Sequence, residues 1–362
     1  MNLDTSTTPT IALLFPGQGS QTVGMGRALY DTFPASRAVF EEADDALGFS
    51  LSNLIFTGPE EQLRLTEFTQ PAILTVSIAA LRALLPELAS RNLAPSFAAG
   101  HSLGEYSANV AAGTFSFADA VRTVRARGQF MQSAVPAGQG AMAAILGLDP
   151  NQINDICAHV SDELTAPPAD NPASQAFAAV DAINDPDNPA TNLVEAASRV
   201  NAVVSPANLN SPDQTVISGS VAAVELAAAR CKEAGAKRTV MLPVSAPFHC
   251  TLMMPAQAQL ASHLESIPFC DSNFPIAANI DARLLTRGPD IRDALIRQVT
   301  GAVRWVECIQ LLQQSGATHY IEVGPGKVLT SLNRQIDRAL TTTNVDEPAS
   351  LEKTLAALLP TA

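Results

Sequence analysis

Short apolar runs alternate along this chain with longer stretches whose apolar residues recur at helical spacing. Ile11–Phe15 is apolar throughout and lies between a polar tail and a glycine loop, which predicts a short buried strand. Ser96–Ala99, Ala141–Leu148, Ala202–Ser205, Val216–Ser218, Arg238–Leu242, Pro275–Ala278 and His319–Val323 are predicted strands of the same kind. Helices are predicted over Gly26–Asp45, Pro71–Leu85, Leu103–Ala112, Phe117–Ser133, Pro150–Leu164 and Val221–Ala234. Further helices are predicted over Pro255–Ser266, Ile291–Gln298, Trp305–Ser315 and from Val328 onward. This alternation predicts an α/β fold. Pro71–Leu85 carries few charges and is expected to be buried on more than one face. No run reaches the ~18 apolar residues of a membrane span.

Composition narrows the function classes. The chain has 362 residues, 47% hydrophobic and 16% charged, enough for one large domain with an insertion or for two domains. Formal net charge is −13, without a dense Lys/Arg cluster, which disfavours a nucleic-acid or anionic-membrane partner. Cys157, Cys231, Cys250, Cys270 and Cys308 are scattered, odd in number and without a C-x-x-C pair. They suit free thiols in a reducing cytosol. The N-terminus lacks a signal-peptide pattern, so a soluble, cytoplasmic protein is expected. Residues 165–192 are rich in Ala, Pro, Asn and Asp, lack basic residues and read as a surface insertion.

Candidate chemistry centres on Gly100-His101-Ser102-Leu103-Gly104, a Gly-x-Ser-x-Gly between a predicted strand and a predicted helix. Such a turn strains the serine and stands its hydroxyl at a helix N-terminus, where backbone N–H groups can hold an oxyanion. A glycine-rich turn with a solvated serine has the same sequence. Pro16-Gly17-Gln18-Gly19-Ser20-Gln21 is a second glycine loop. Its spacing fits neither the dinucleotide nor the P-loop fingerprint, so it reads either as a plain turn or as backbone donors beside a site. Arg122 and Arg125 share a helix face, whereas Arg127 lies about 200° from Arg125 at ~100° per residue. Arg127 is then either a third solvated arginine or an inward one that must be paired or serve an anion. His249 follows Pro243 and Pro247 on a rigid loop, and no histidine pair has the spacing of a zinc site.

Six separated stretches then coincide in order and approximate spacing. They are Pro16–Gln21, Gly100–Tyr106, Arg127–Gln132, Asn208–Pro212, Pro243–His249 and Val323–Leu329. From about residue 11 to 340 the chain resembles the malonyl-CoA:acyl carrier protein transacylases of bacterial fatty-acid synthesis. Only the insertion at 165–192 departs, being longer than the family usually carries.

The resemblance implies a hydrolase-like α/β core with a mostly parallel sheet and nucleophile elbow at 11–139 and 243–340. It implies an inserted ferredoxin-like α+β subdomain at 140–242. It makes Ser102 the nucleophile and His249 the base, with Gln298 orienting His249 through a backbone carbonyl. It places the oxyanion on the N–H groups of Gln18 and Leu103 and the malonyl carboxylate on Arg127, with His101, Asn208 and Asn210 as possible lining. It implies malonyl-CoA and phosphopantetheinylated acyl carrier protein as substrates, no bound cofactor or metal, and a monomer. A serine thioesterase or hydrolase, an acyltransferase serving a polyketide synthase, and a carrier-binding scaffold are the competing readings. A hydrolase needs no Arg127, and a scaffold need not retain Ser102, His249 and Arg127 together.

Overall fold

The computed structural model describes residues 8–165, 202–244 and 246–358. All but the first residue of the expected 165–192 insertion lies outside the described residues. Every residue of β1 (Ile11–Phe15) is buried because the strand has a parallel neighbour on each side. One neighbour is β2 (Pro95–Gly100), the other β9 (His319–Val323). With β7 (Ile276–Ala278), β8 (Arg283–Leu285) and β10 (Thr341–Val345) they form a sheet ordered β10–β9–β1–β2–β7–β8. All its pairings are parallel except β7–β8. On one face, Ala12, Leu14 and Ala99 join a core with Trp305, Ile309 and Leu312 of helix Trp305–Gln314.

Two helix predictions need correction. The helix expected over Gly26–Asp45 is two, α1 (Arg27–Thr32) and α2 (Pro34–Leu47). The residue before a proline is pushed out of helical geometry, and Phe33 sits at φ −113°, ψ 116°. The helix expected over Pro71–Leu85 spans Thr66–Ala89, so Pro71 lies inside it. This helix, α5 after the short α3 (Leu51–Thr57) and α4 (Glu60–Leu63), is long and apolar enough to cross a membrane. Burial of 72% of its most apolar window shows it as a core helix. β8, β10 and helix Pro348–Ala357 were not foreseen.

The chain divides into two compact units. The first holds the six-stranded sheet and comprises the residues up to Ser133, Ala256–Gln298 and the chain from Val303. The second comprises Ala134–Pro255 and Val299–Ala302. Its sheet, ordered β4–β5–β3–β6, is antiparallel throughout. Its elements run β3 (Gly140–Leu146), α8 (Pro150–Thr165), β4 (Val204–Ser211), β5 (Gln214–Ser220), α9 (Val221–Glu233) and β6 (Arg238–Met241). That β-α-β-β-α-β succession and strand order are ferredoxin-like, as the resemblance implies. Cys157 and Cys231 lie in its core, where burial pushes their thiols up to about 12 and about 11. The His249 loop, expected with the larger domain, falls in this smaller unit. Pro247 packs on Gly140, where an added Cβ would meet the proline ring at 2.2 Å.

Candidate active site

Ser102 sits where β2 turns into α6 (Gly104–Ala111), with φ at 50°. Left-handed backbone at a residue other than glycine is strained, and such strain gathers at functional sites. The flanking glycines permit the turn by close approach. A Cβ on Gly100 would meet the Gly104 carbonyl carbon at 1.9 Å, and one on Gly104 would meet the Phe15 oxygen at 2.0 Å. Leu103 immediately precedes α6, so its N–H belongs to the helix-end donors that lack an intrahelical acceptor. Gly17 brings the Gln18 loop against this turn, its own Cβ position being 2.4 Å from the His101 oxygen. His101 N–H donates to the Phe15 carbonyl at 3.0 Å, and the His101 ring lies 5.6 Å from Trp305.

Asn279, at the end of β7, clamps the turn from the neighbouring strand. Its Oδ1 accepts from Ser102 N–H at 2.8 Å, and its Nδ2 donates to the Gly100 carbonyl at 2.8 Å. The shape of the turn is therefore fixed on both sides of the serine.

Arg127 lies on α7 (Phe117–Ser133) and is 2% exposed, resolving the two sequence readings in favour of the inward one. Arg122 is exposed and pairs with Asp119, while Arg125 stacks 4.3 Å over Phe49. Arg127 Nη2 donates to Ser102 Oγ at 3.1 Å and to Gln298 Oε1 at 3.0 Å, and Nη1 donates to Gln70 Oε1 at 2.8 Å. Its Nε–H has no acceptor among the described residues. Tyr106 lies beneath the guanidinium, 5.5 Å from its ring centre. Burial lowers the Arg127 pKa from its ordinary value. A buried guanidinium with an unanswered donor beside a strained serine is suited to an anionic acyl group.

Glu105 is buried at the first turn of α6. Its Oε2 accepts from Asn279 N–H at 3.0 Å and from Gln298 Nε2 at 2.7 Å. Burial pushes this carboxyl up to about 7. Sequence reasoning missed Glu105, Asn279 and Gln70. Only Glu105 carried a signal, standing three residues after Ser102 in a capping-box pattern; instead of capping, it turns inward.

The second unit carries His249, Asn208 and Asn210. His249 is 4% exposed, with φ at 61°. Its Nδ1 lies 3.1 Å from the Gly301 carbonyl oxygen. A carbonyl only accepts, so Nδ1 carries the hydrogen and, in the neutral ring, Nε2 is the acceptor. Gly301 is thus a carbonyl partner that the sequence reading did not name. The Gln298 side chain is occupied in the first unit, where its Nε2 also donates to the Ser102 carbonyl at 3.0 Å. Asn208 and Asn210 lie on β4, and Asn210 Nδ2 donates to Gln214 Oε1 at 3.1 Å across the hairpin. No group of three or more His, Cys, Asp and Glu among the described residues could hold a metal ion.

An α/β core with a strained serine at a strand-to-helix turn and an inserted antiparallel unit defines an acyltransferase. Residues 12–177 match the family described as acyl transferase domain. The chain is 44% identical to the malonyl CoA-acyl carrier protein transacylase of Bacillus subtilis (strain 168), over 96% of this chain and 97% of that protein. It is 43% identical to the Escherichia coli (strain K12) protein of that name, over 95% and 98% of the two chains. Among solved structures, the acyl-carrier-protein S-malonyltransferase of Burkholderia pseudomallei 1710b superimposes with a TM-score of 0.82 at 41% identity. That match covers 96% of this chain and 99% of the other. A malonyl-transacylase bound to a type II polyketide synthase acyl-carrier protein gives 0.82 at 40% identity, covering 96% and 99%. The chain belongs to the malonyl CoA-acyl carrier protein transacylase family.

Proposed function

We propose that the chain transfers the malonyl group from malonyl-CoA to the phosphopantetheine thiol of an acyl carrier protein, through an ester on Ser102. The observation that carries this reading is Arg127, a buried guanidinium 3.1 Å from Ser102 Oγ. Ser102 Oγ attacks the thioester carbonyl and gives its proton to His249 Nε2, while N–H groups of Leu103 and Gln18 hold the oxyanion. The C–S bond breaks, and the proton passes from His249 to the departing CoA sulfur. In the second half, His249 takes the carrier thiol's proton, its sulfur attacks the ester, and Ser102 Oγ leaves with that proton. A backbone carbonyl orients His249: in this reading that of Gln298, with the Gly301 carbonyl oxygen, 3.1 Å from Nδ1, as a further acceptor.

Arg127 reads the malonyl carboxylate with two parallel hydrogen bonds. An acetyl group leaves the buried cation unanswered, at a cost on the order of 3–5 kcal/mol, or two to three powers of ten or more in rate. His101, packed on Trp305, and Asn208 and Asn210, on β4 of the smaller unit, would line the acyl site in this reading. The thioester-to-ester-to-thioester exchange calls for neither a bound cofactor nor a metal. A monomer in the cytoplasm, acting without nucleic acid or membrane, completes the reading. The similarity to a transacylase paired with a polyketide carrier supports a second reading, in which only the carrier differs.

Intact-mass measurement with malonyl-CoA, with and without a fatty-acid or a polyketide carrier protein, tests this directly. The expected result is a malonyl adduct on the enzyme that moves to a carrier and is absent in Ser102→Ala. Release of malonate without carrier loading would indicate a hydrolase instead.

A further inference from the structure

Gln298 is wedged between two groups of opposite hydrogen-bonding character. On one side stands Arg127, which can only donate; on the other stands Glu105 Oε2, which accepts. Only one orientation of the Gln298 amide satisfies both, with Oε1 accepting from Arg127 Nη2 at 3.0 Å and Nε2 donating to Glu105 Oε2 at 2.7 Å. Reversed, the amide would set NH2 against guanidinium and oxygen against carboxyl. The same Glu105 oxygen accepts from Asn279 N–H at 3.0 Å, and the Asn279 side chain grips Ser102 N–H and the Gly100 carbonyl. One buried carboxyl is therefore the root of two arms, one reaching the arginine and the other the serine turn.

We propose that Glu105 is a positioning residue for the transfer reaction: through Gln298 it aims Arg127 at the acyl carboxylate, and through Asn279 it holds the Ser102 turn. This rests on the reading of Arg127 as the carboxylate-binding group. Glu105 touches no reacting atom, and it is not a helix cap, since its bonds run to Asn279 and Gln298. Its charged and titratable surroundings are Arg127 from α7, Asp281 beyond β7, Cys308 from helix Trp305–Gln314, and its own neighbour Tyr106. Oε2 accepts both N–H groups whichever state Oε1 adopts, so the orientation of Gln298 depends on an acceptor here rather than on a charge.

The test is kcat/KM for malonyl-CoA and for acetyl-CoA, each with carrier protein, in the wild type and four variants. Glu105→Ala should lower the malonyl-to-acetyl ratio about tenfold, the loss expected when a hydrogen bond to a charged group is misaligned. Glu105→Gln should keep the ratio within about threefold, because its amide oxygen accepts in place of Oε2. A purely structural residue would depress both donors alike, and an unchanged ratio in Glu105→Ala overturns the proposal. A ratio that falls as far in Glu105→Gln as in Glu105→Ala overturns it too. If Glu105→Ala fails to fold, Gln298→Met carries the test: a lowered ratio supports the proposal and an unchanged one overturns it. Arg127→Ala separates the two levels. An unchanged ratio there removes the reading of Arg127 itself, whereas a changed ratio there beside an unchanged one in Glu105→Ala removes only the positioning role.

Discussion

Two strand–turn–helix elements stand on the same parallel sheet and are built from similar parts. One is β2, the Ser102 turn and α6; the other is β9, Gly324-Pro325-Gly326 and helix Val328–Ile336. Each needs a residue with positive φ, and each buries a glutamate whose pKa is raised mainly by burial. They differ in what fills those places. At the second turn, glycines take the left-handed positions, Gly324 at φ 133° and Gly326 at 81°. There Glu322 accepts from Leu329 N–H at 3.0 Å and Thr330 N–H at 2.7 Å, answering the first turn of its helix with an internal carboxylate. At the first turn a serine takes the strained position, and the nearby acid turns from its own helix toward Asn279 and Gln298. A turn that only has to be stable uses glycine and supplies its own acceptor. In the proposed reading, the turn that has to react keeps a side chain under strain and offers helix-end donors to an oxyanion formed on the substrate.

The comparison can be broken at either turn. The largest effect is expected from Ser102→Ala, which should abolish the acyl-enzyme and lower transfer by at least about 10⁴-fold, read as carrier loading. Next comes the pH dependence of stability. Glu105, raised to about 7 in the fold, favours the folded state while protonated. Its contribution is full below the unfolded carboxyl's ordinary value and is lost as pH rises through about 7. Relative to Glu105→Gln, the wild type should therefore lose roughly 3 kcal/mol between pH 4.5 and 8, as measured by denaturant unfolding at each pH.

At the other turn, Gly324→Ala introduces a Cβ 2.3 Å from Ser77 Oγ at a φ of 133°. It should lower stability by about 1–3 kcal/mol while leaving Ser102 acylation in the folded fraction intact. The smallest effect separates strain from chemistry. Both Ser102→Gly and Ser102→Ala should be inactive, but the glycine variant should be the more stable by about 1 kcal/mol, because it alone relieves the left-handed backbone. Equal midpoints for the two would show that the elbow stores no such strain.

Most strands and the elbow itself were legible because they depend on local signals: short apolar runs, flanking glycines and the helix that follows. The inward turn of Arg127 was one of two readings of the helical wheel, and the sequence could not choose because the choice depends on Gln70 and Gln298, 57 and 171 residues away. Asn279 was illegible for the same reason: its bond to Ser102 N–H spans 177 residues and leaves no periodic trace. Pro34 could have split the first long helix on sight, since the restriction on Phe33 is local. Pro71 misled in the opposite direction, because tertiary burial of Thr66–Ala89 outweighs one missing ladder bond.

The most direct test of the central claim compares malonyl-CoA and acetyl-CoA as donors for wild type and Arg127→Ala, with kcat/KM measured for each. The account predicts that the variant loses two to three powers of ten with malonyl-CoA, on the order of 3–5 kcal/mol, while acetyl transfer changes less than about tenfold. Equal losses with the two donors would contradict it, because the guanidinium beside Ser102 would then not be reading the carboxylate.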